Sequence, residues 1–172
     1  ENLTFEAVVK HVEATLDRRG NYFVVGVYQI DTDDTVTWIC FDFDNHDSAR
    51  SGDEIWADVQ KLSIILNKYH IPYLIEASGS PDSYHIWVFL VPTKTYNAFK
   101  FSRQIVAEAG VKCEIFPKQK SIRSDRASYG NLVKLPLGTH RKTGKLSLFV
   151  DQTTFDPFPD QIEILKNAPK ID

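Results

Sequence analysis

Between Thr35 and Phe116 the chain alternates two hydrophobic periods in a fixed order, and that order constrains its fold more than any single residue does. Residues 35–44 (TVTWICFDFD) read as a strand by their β-branched and aromatic content. Ser51 and Glu54 form a capping box, and the helix that follows, to about Tyr69, carries one apolar stripe of Ile55, Val59, Leu62 and Leu66. Pro72 starts a strand at 73–77, and a turn rich in Gly, Ser and Pro leads into another at 84–91 (YHIWVFLV). A helix over 95–109 ends at Gly110, and a short strand covers 111–116. The order βαββα, with further strands, predicts an α+β fold: a largely antiparallel sheet with helices packed on one face.

The flanks add smaller pieces. Phe5, Val8, Val9, Val12 and Leu16 share one helical face over residues 3–17, and Gly20 offers a stop. Residues 22–30 (YFVVGVYQI) read as a strand, and the turn Asp31–Asp34 would join it to 35–44 as a hairpin. Residues 118–130 show no periodicity and read as a basic loop. Short strands at 131–135 and 146–150 flank the turn-forming LPLGTHRKTG, and residues 160–167 read as a closing helix. The 172 residues suit one domain. With Glu1 first and no methionine anywhere, that domain is expected to be cut from a longer protein.

Composition excludes several classes. The chain is 42% hydrophobic, yet no apolar stretch approaches the ~18 residues a membrane helix needs. Residues 1–20 are charged, unlike a signal peptide. Cys40 and Cys113 are too few and too far apart for a zinc cluster or a disulfide framework; as buried thiols they point to a reducing, cytoplasmic setting. Net charge is −3, but it is unevenly spread. From Lys112 to Lys145 there are nine Lys or Arg against two acids, while the remainder has eleven basic and 21 acidic residues. A basic segment on an acidic body is the footprint of phosphate contacts.

Four groups carry chemistry. In Phe41-Asp42-Phe43-Asp44, strand alternation sends both carboxylates to one face and both rings to the other. Paired carboxylates repel, and hard oxygen ligands of this kind suit Mg²⁺ or Mn²⁺. Ser83 and His85 share a face after the small-residue loop SGSPDS and could hydrogen-bond phosphate oxygens. Glu114 is a carboxylate among apolar strand neighbours, costly there unless paired or metal-bound. In the run from Gly130 to Arg141, Lys134, His140 and Arg141 are donors suited to a triphosphate.

Taken in order, F-D-F-D, S-Y-H-I-W, E-I-F-P-K-Q and G-N-L-V-K-L-P-L-G-T-H-R resemble the archaeo-eukaryotic primase superfamily. The likeness spans about residues 38 to 150 and is strongest to the primase-polymerase branch found with CRISPR systems and in conflict-system proteins. It implies an RRM-like sheet flanked by an N-terminal αβ unit. It implies nucleotidyl transfer from triphosphates to a 3′-hydroxyl on a DNA template, with RNA as another substrate. The family's first and third motifs match Asp42, Asp44 and Glu114, which would hold two Mg²⁺ or Mn²⁺ ions; the third is often Asp in relatives. The second motif matches Ser83 and His85 as triphosphate ligands. Asn131, Lys134, His140 and Arg141 match the nucleotide-contacting stretch. Lys118, Lys120, Arg123 and Arg126 would meet template or primer phosphates. Two other readings compete. An RRM-like binding module would have no need of clustered acids, and a metal-dependent nuclease would have no need of a triphosphate cradle.

Overall fold

A computed structural model describes residues 3–45, 50–122 and 131–172. Its elements follow the predicted alternation: α1 (Phe5–Val12), β1 (Gly26–Tyr28), β2 (Thr35–Phe43), α2 (Gly52–Lys68), β3 (Leu74–Ala77), β4 (Tyr84–Lys94), α3 (Thr95–Ala109), β5 (Glu114–Phe116), β6 (Leu132–Lys134), β7 (Leu148–Val150), α4 (Gln161–Lys166) and β8 (Lys170–Ile171). The fold is α+β. The main sheet runs β5-β2-β4-β3-β7, antiparallel throughout, with β8 added in parallel to β4. Strands β2 to β5 and the two helices between them form two interleaved βαβ units, the arrangement of an RRM-like sheet.

Each predicted local signal has a visible cause. Ser51 Oγ accepts from the Glu54 amide while the Glu54 carboxylate accepts from the Ser51 amide, so the capping box starts α2. Gly110, with φ +65°, lets α3 end in the left-handed turn that a side chain would resist. Both helices cover one sheet face, where Phe41, Phe43, Ile86 and Val88 pack under Val59, Leu62 and Leu66. The other face carries a smaller apolar group of Cys40, Trp87, Phe116, Val133, Leu137 and Phe149. Both cysteines are free, and burial pushes the Cys113 thiol up to about 12. Among the described residues no helix is long and apolar enough to cross a membrane.

The expected hairpin of residues 22–30 with 35–44 does not form. Strand β2 is flanked on one side by β4 and on the other by β5, so it has no edge to offer. Strand β1 pairs instead with β6, Gly26 opposite Lys134 and Tyr28 opposite Leu132, in a separate two-stranded sheet. The N-terminal αβ unit is therefore completed by a strand from late in the chain. Helix α1 is also shorter than its apolar stripe, because Leu16 leaves the helix to bridge Tyr22.

His11 fastens this unit. It is fully buried, and its Nδ1 accepts from the Val25 amide at 3.0 Å. Its Nε2 faces the carbonyls of Leu135 (3.0 Å) and Pro136 (3.2 Å). One acceptor and one donor nitrogen define the neutral ring. Burial is the main reason its pKa lies below the ordinary histidine value; the two carbonyls pull the other way. The ring occupies the space beside Gly138, where an added Cβ would coincide with it.

Two outcomes follow for the stability of this packing. Gly138→Ala should cost about 1–3 kcal/mol in urea denaturation, because the ring has no room to retreat. Because the folded-state pKa of His11 is depressed, its contribution is present above the ordinary value of 6.5 and is lost as pH falls through the lowered one. The stability advantage of the parent over His11→Gln should therefore shrink between neutral pH and mild acid. An advantage that grows on acidification would refute the neutral assignment.

Candidate active site

The sheet register assembles the site. Asp42 lies directly opposite His85 on β4 and directly opposite Glu114 on β5. His85 in turn lies opposite Glu76 on β3. Directly opposed residues on antiparallel strands share a face, so Glu114, Asp42, His85 and Glu76 form one row across the sheet. The row lies on the face away from α2 and α3, while Phe41 and Phe43 point into the helical core as alternation predicts. Asp44 continues the Asp42 side just past the end of β2.

Above the row is a cleft of about 520 Å³. Asp42, Asp44, Asn45 and His85 line it from β2, the turn after β2 and β4, and Lys134, His140 and Lys142 contribute a basic wall from β6 and the turn after it. Lys134 is held by the Ser78 carbonyl (3.1 Å) and, more loosely, by that of Gly138 (3.4 Å). Burial pushes its ammonium pKa down, against the pull of Glu76 and Asp42. His140 is likewise lowered, first by burial and then by the charges of Lys134 and Lys142. Gly79 explains how the small-residue loop reaches this wall. At φ +80°, a Cβ there would lie 2.6 Å from the Lys145 carbonyl oxygen, and Thr143 Oγ1 donates to the Gly79 carbonyl at 2.7 Å.

His85 is held from beneath. Its Nδ1 is 2.8 Å from Glu76 Oε2, and the same oxygen accepts from Trp87 Nε1 at 2.7 Å. The opposite ring nitrogen, Nε2, is 3.5 Å from Asp42 Oδ1 at the cleft. Burial disfavours a charge on His85, but the carboxylate and hydrogen bond of Glu76, with Asp42 behind them, raise its pKa overall. Glu76 is fully buried; burial opposes its ionisation too, yet His85, with help from Lys134, holds its carboxyl below the ordinary range.

Ser83 is buried behind Asp44. Its hydroxyl is placed to donate to Asp44 Oδ1 (3.0 Å) or to the Pro81 carbonyl (3.1 Å), so it orients a carboxylate rather than facing the opposite wall. Glu114, with its side chain 53% exposed, is turned toward Lys118 at 2.8 Å. Among the described residues no three His, Cys, Asp or Glu side chains are already drawn together as metal ligands. The donor chemistry nevertheless fits a hard divalent cation: Asp42 and Asp44 share the cleft, and Glu114 stands opposite Asp42 in the ladder. An exposed pair like Glu114–Lys118 is worth about 1 kcal/mol or less, too little to hold Glu114 back from a cation.

Other expected residues fall elsewhere. Arg141 reaches the Tyr22 carbonyl (3.3 Å), outside the cleft lining. Asn131 is exposed just before β6, next to the cleft-lining Leu132. Lys120 is exposed beside α3, and Arg123 and Arg126 lie outside the described residues. Two participants were missed in the sequence. Glu76 has the same signature that drew attention to Glu114, an acid within a short apolar strand (YLIEA). Lys142 stands two residues from His140 in the same basic turn.

The whole chain, residues 1–172, matches the family model described as the archaeo-eukaryotic primase domain of TOTE conflict systems. No curated protein matches the chain.

The buried row has a measurable signature. Glu76→Leu removes the acceptor for two buried donors, His85 and Trp87, each worth roughly 1–3 kcal/mol when stranded. It should destabilise the chain by about that amount per donor, while Glu76→Gln, which keeps a carbonyl acceptor, should lose clearly less. Equal losses in denaturant titrations of the two variants would show that the acceptor is not what the network needs.

Proposed function

Because the chain belongs to the archaeo-eukaryotic primase domain family of TOTE conflict systems, we propose that the cleft performs template-directed nucleotidyl transfer, joining a nucleoside triphosphate to the 3′-hydroxyl of a growing strand. Family membership supports nucleotidyl transfer of the primase kind, acting on nucleotides and nucleic acid, in general. The finer reading rests on one observation: the register that puts Asp42 between Glu114 and His85, facing a wall of Lys134, His140 and Lys142.

Asp42, Asp44 and Glu114 are the residues that would hold two divalent ions, Mg²⁺ or Mn²⁺. Such ions supply positive charge to the attacking hydroxyl and to the departing pyrophosphate. The chain's own groups do the rest by placement and charge. Ser83 fixes the Asp44 carboxylate through its hydroxyl. Glu76 fixes the His85 ring, whose Nε2 then faces the cleft. Lys134, His140 and Lys142 lie where they would neutralise a triphosphate, and Asn131 stands at the margin of the same wall. Lys118 and Lys120, exposed on the chain leaving β5, are the described cations we assign to DNA or RNA phosphates. A nuclease using the same carboxylates would have no need of a triphosphate cradle.

Asp42→Ala combined with Asp44→Ala should abolish primer extension in Mg²⁺ or Mn²⁺ while leaving the fold intact, since it removes two carboxylates that repel each other. Extension at the parental rate would exclude them as ligands. His85→Ala should weaken nucleotide affinity by about tenfold or more, the effect of losing one charge-assisted contact. Primer–template affinity without nucleotide should change much less, and equal losses in the two assays would favour a plain nucleic-acid-binding module.

A further inference from the structure

Helix α3 covers the sheet with Thr95, Ala98, Ser102 and Ile105 buried and with Phe101 and Val106 half-buried against the core. A second set of rings and cations stands on its other side. Tyr96 is 54% exposed, and Tyr96, Phe99, Lys100 and Arg103 follow at i, i+3, i+4 and i+7, one continuous stripe. Burial alone does not account for Tyr96, because an aromatic ring gains from leaving water. With Gln104 and Lys120 the stripe bounds a shallow depression of about 350 Å³, lined among the described residues by three cations, two aromatic rings and no acid.

The cations are arranged over a ring. The Arg103 guanidinium lies 3.4 Å from the Phe99 centroid, and Lys120 Nζ lies 5.7 Å from it. Arg103 also donates to the carbonyls of Phe99 (3.2 Å) and Pro117 (3.1 Å), which pins the chain leaving β5 against the helix. Phe116, one residue earlier, lines the catalytic cleft on the opposite face. The stripe therefore begins where the cleft rim passes around the edge strand β5. The one acid of α3, Glu108, is at the far end and is tied to Lys68 and Tyr69.

We infer that this outer stripe of α3 is a docking surface for single-stranded nucleic acid, the unpaired stretch of the template outside the cleft. Clustered cations without acids match a phosphate backbone, and an exposed ring beside them offers a base a stacking partner at any sequence. The same chemistry accepts DNA or RNA. The word template rests on the proposed nucleotidyl transfer; the binding itself does not.

The test uses fluorescence anisotropy of the 172-residue chain with labelled oligothymidylate, its RNA counterpart, an abasic strand of equal length and a blunt duplex. Tyr96→Ala should weaken single-strand affinity roughly fivefold or more, the effect of losing one stacked base. It should leave affinity for the abasic strand unchanged. Lys100→Ala should lower the slope of log affinity against log salt by about 0.7 on single strands. Both residues are exposed, so unfolding midpoints should stay at the parental value. Parental single-strand binding by both variants would overturn the inference. So would an abasic strand held as tightly as the base-bearing one, or equal losses on duplex and single strand. Primer extension in Mn²⁺ separates this inference from the cleft reading. If Asp42→Ala/Asp44→Ala keeps extending primers while Tyr96→Ala loses single strands, the cleft reading fails and this surface stands.

Discussion

A carboxylate with no access to solvent, Glu76, ends the polar row beneath the cleft, and the geometry above depends on how it is satisfied. Glu76 would be ruinous where it sits without partners, since a buried unpaired charge costs several kcal/mol. It is met on one oxygen by His85 and Trp87, the two residues that alternate on the same face of β4. That requirement fixes the His85 ring and presents its other nitrogen to Asp42. The separate ladder between β2 and β5 sets Glu114 beside Asp42. A slip of one residue in β2 would turn Asp42 toward the helical core and Phe41 and Phe43 toward the cleft. Register is therefore the quantity that this part of the sequence specifies most strictly.

Much of this was legible beforehand, and the reasons are local. The capping box of Ser51 and Glu54, the glycine stop of α3 and the alternation through Phe41 to Asp44 depend on neighbours a few residues away, and each appears as expected. The misread hairpin depended on competition. Residues 22–30 have strand composition and a turn after them, but whether they pair with β2 is decided by β4 and β5 taking both its sides. The contact of Ser83 Oγ with Asp44, at 3.0 Å, was likewise not legible, because it joins residues 39 apart in the chain. Glu76 was overlooked because an acid in a four-residue strand gains meaning only from the strand beside it. Gly138 shows its necessity only once His11, far away in sequence, is found in the space a side chain would need.

The two faces of the sheet divide the labour. One is a conventional aliphatic core under α2 and α3, tolerant of volume-conserving exchange. The other mixes Trp87, Phe116 and Phe149 with ionised groups and leaves them partly open to the cleft. Polar groups in such a place strengthen one another when all are satisfied and are costly when one is lost. The aliphatic face therefore supplies the rigidity, and the polar face can be devoted to geometry.

The pairing of β1 with β6 has a consequence for how the molecule comes into being. The carboxylates and His85 all precede residue 117, but the wall opposite them is built from residues 132–145, and its closing strand β7 ends at Val150. On a ribosome, domains form as the chain emerges from its N-terminal end. A nascent chain would thus display the acidic floor before it owned any basic wall. Strand β1 and helix α1, made first, would wait for β6 to arrive, a ladder of the long-range kind that forms slowly. Until then the cleft face of the sheet is an uncovered surface bearing Trp87 and Phe116, and the last third of the chain acts toward the first as its late-arriving cover.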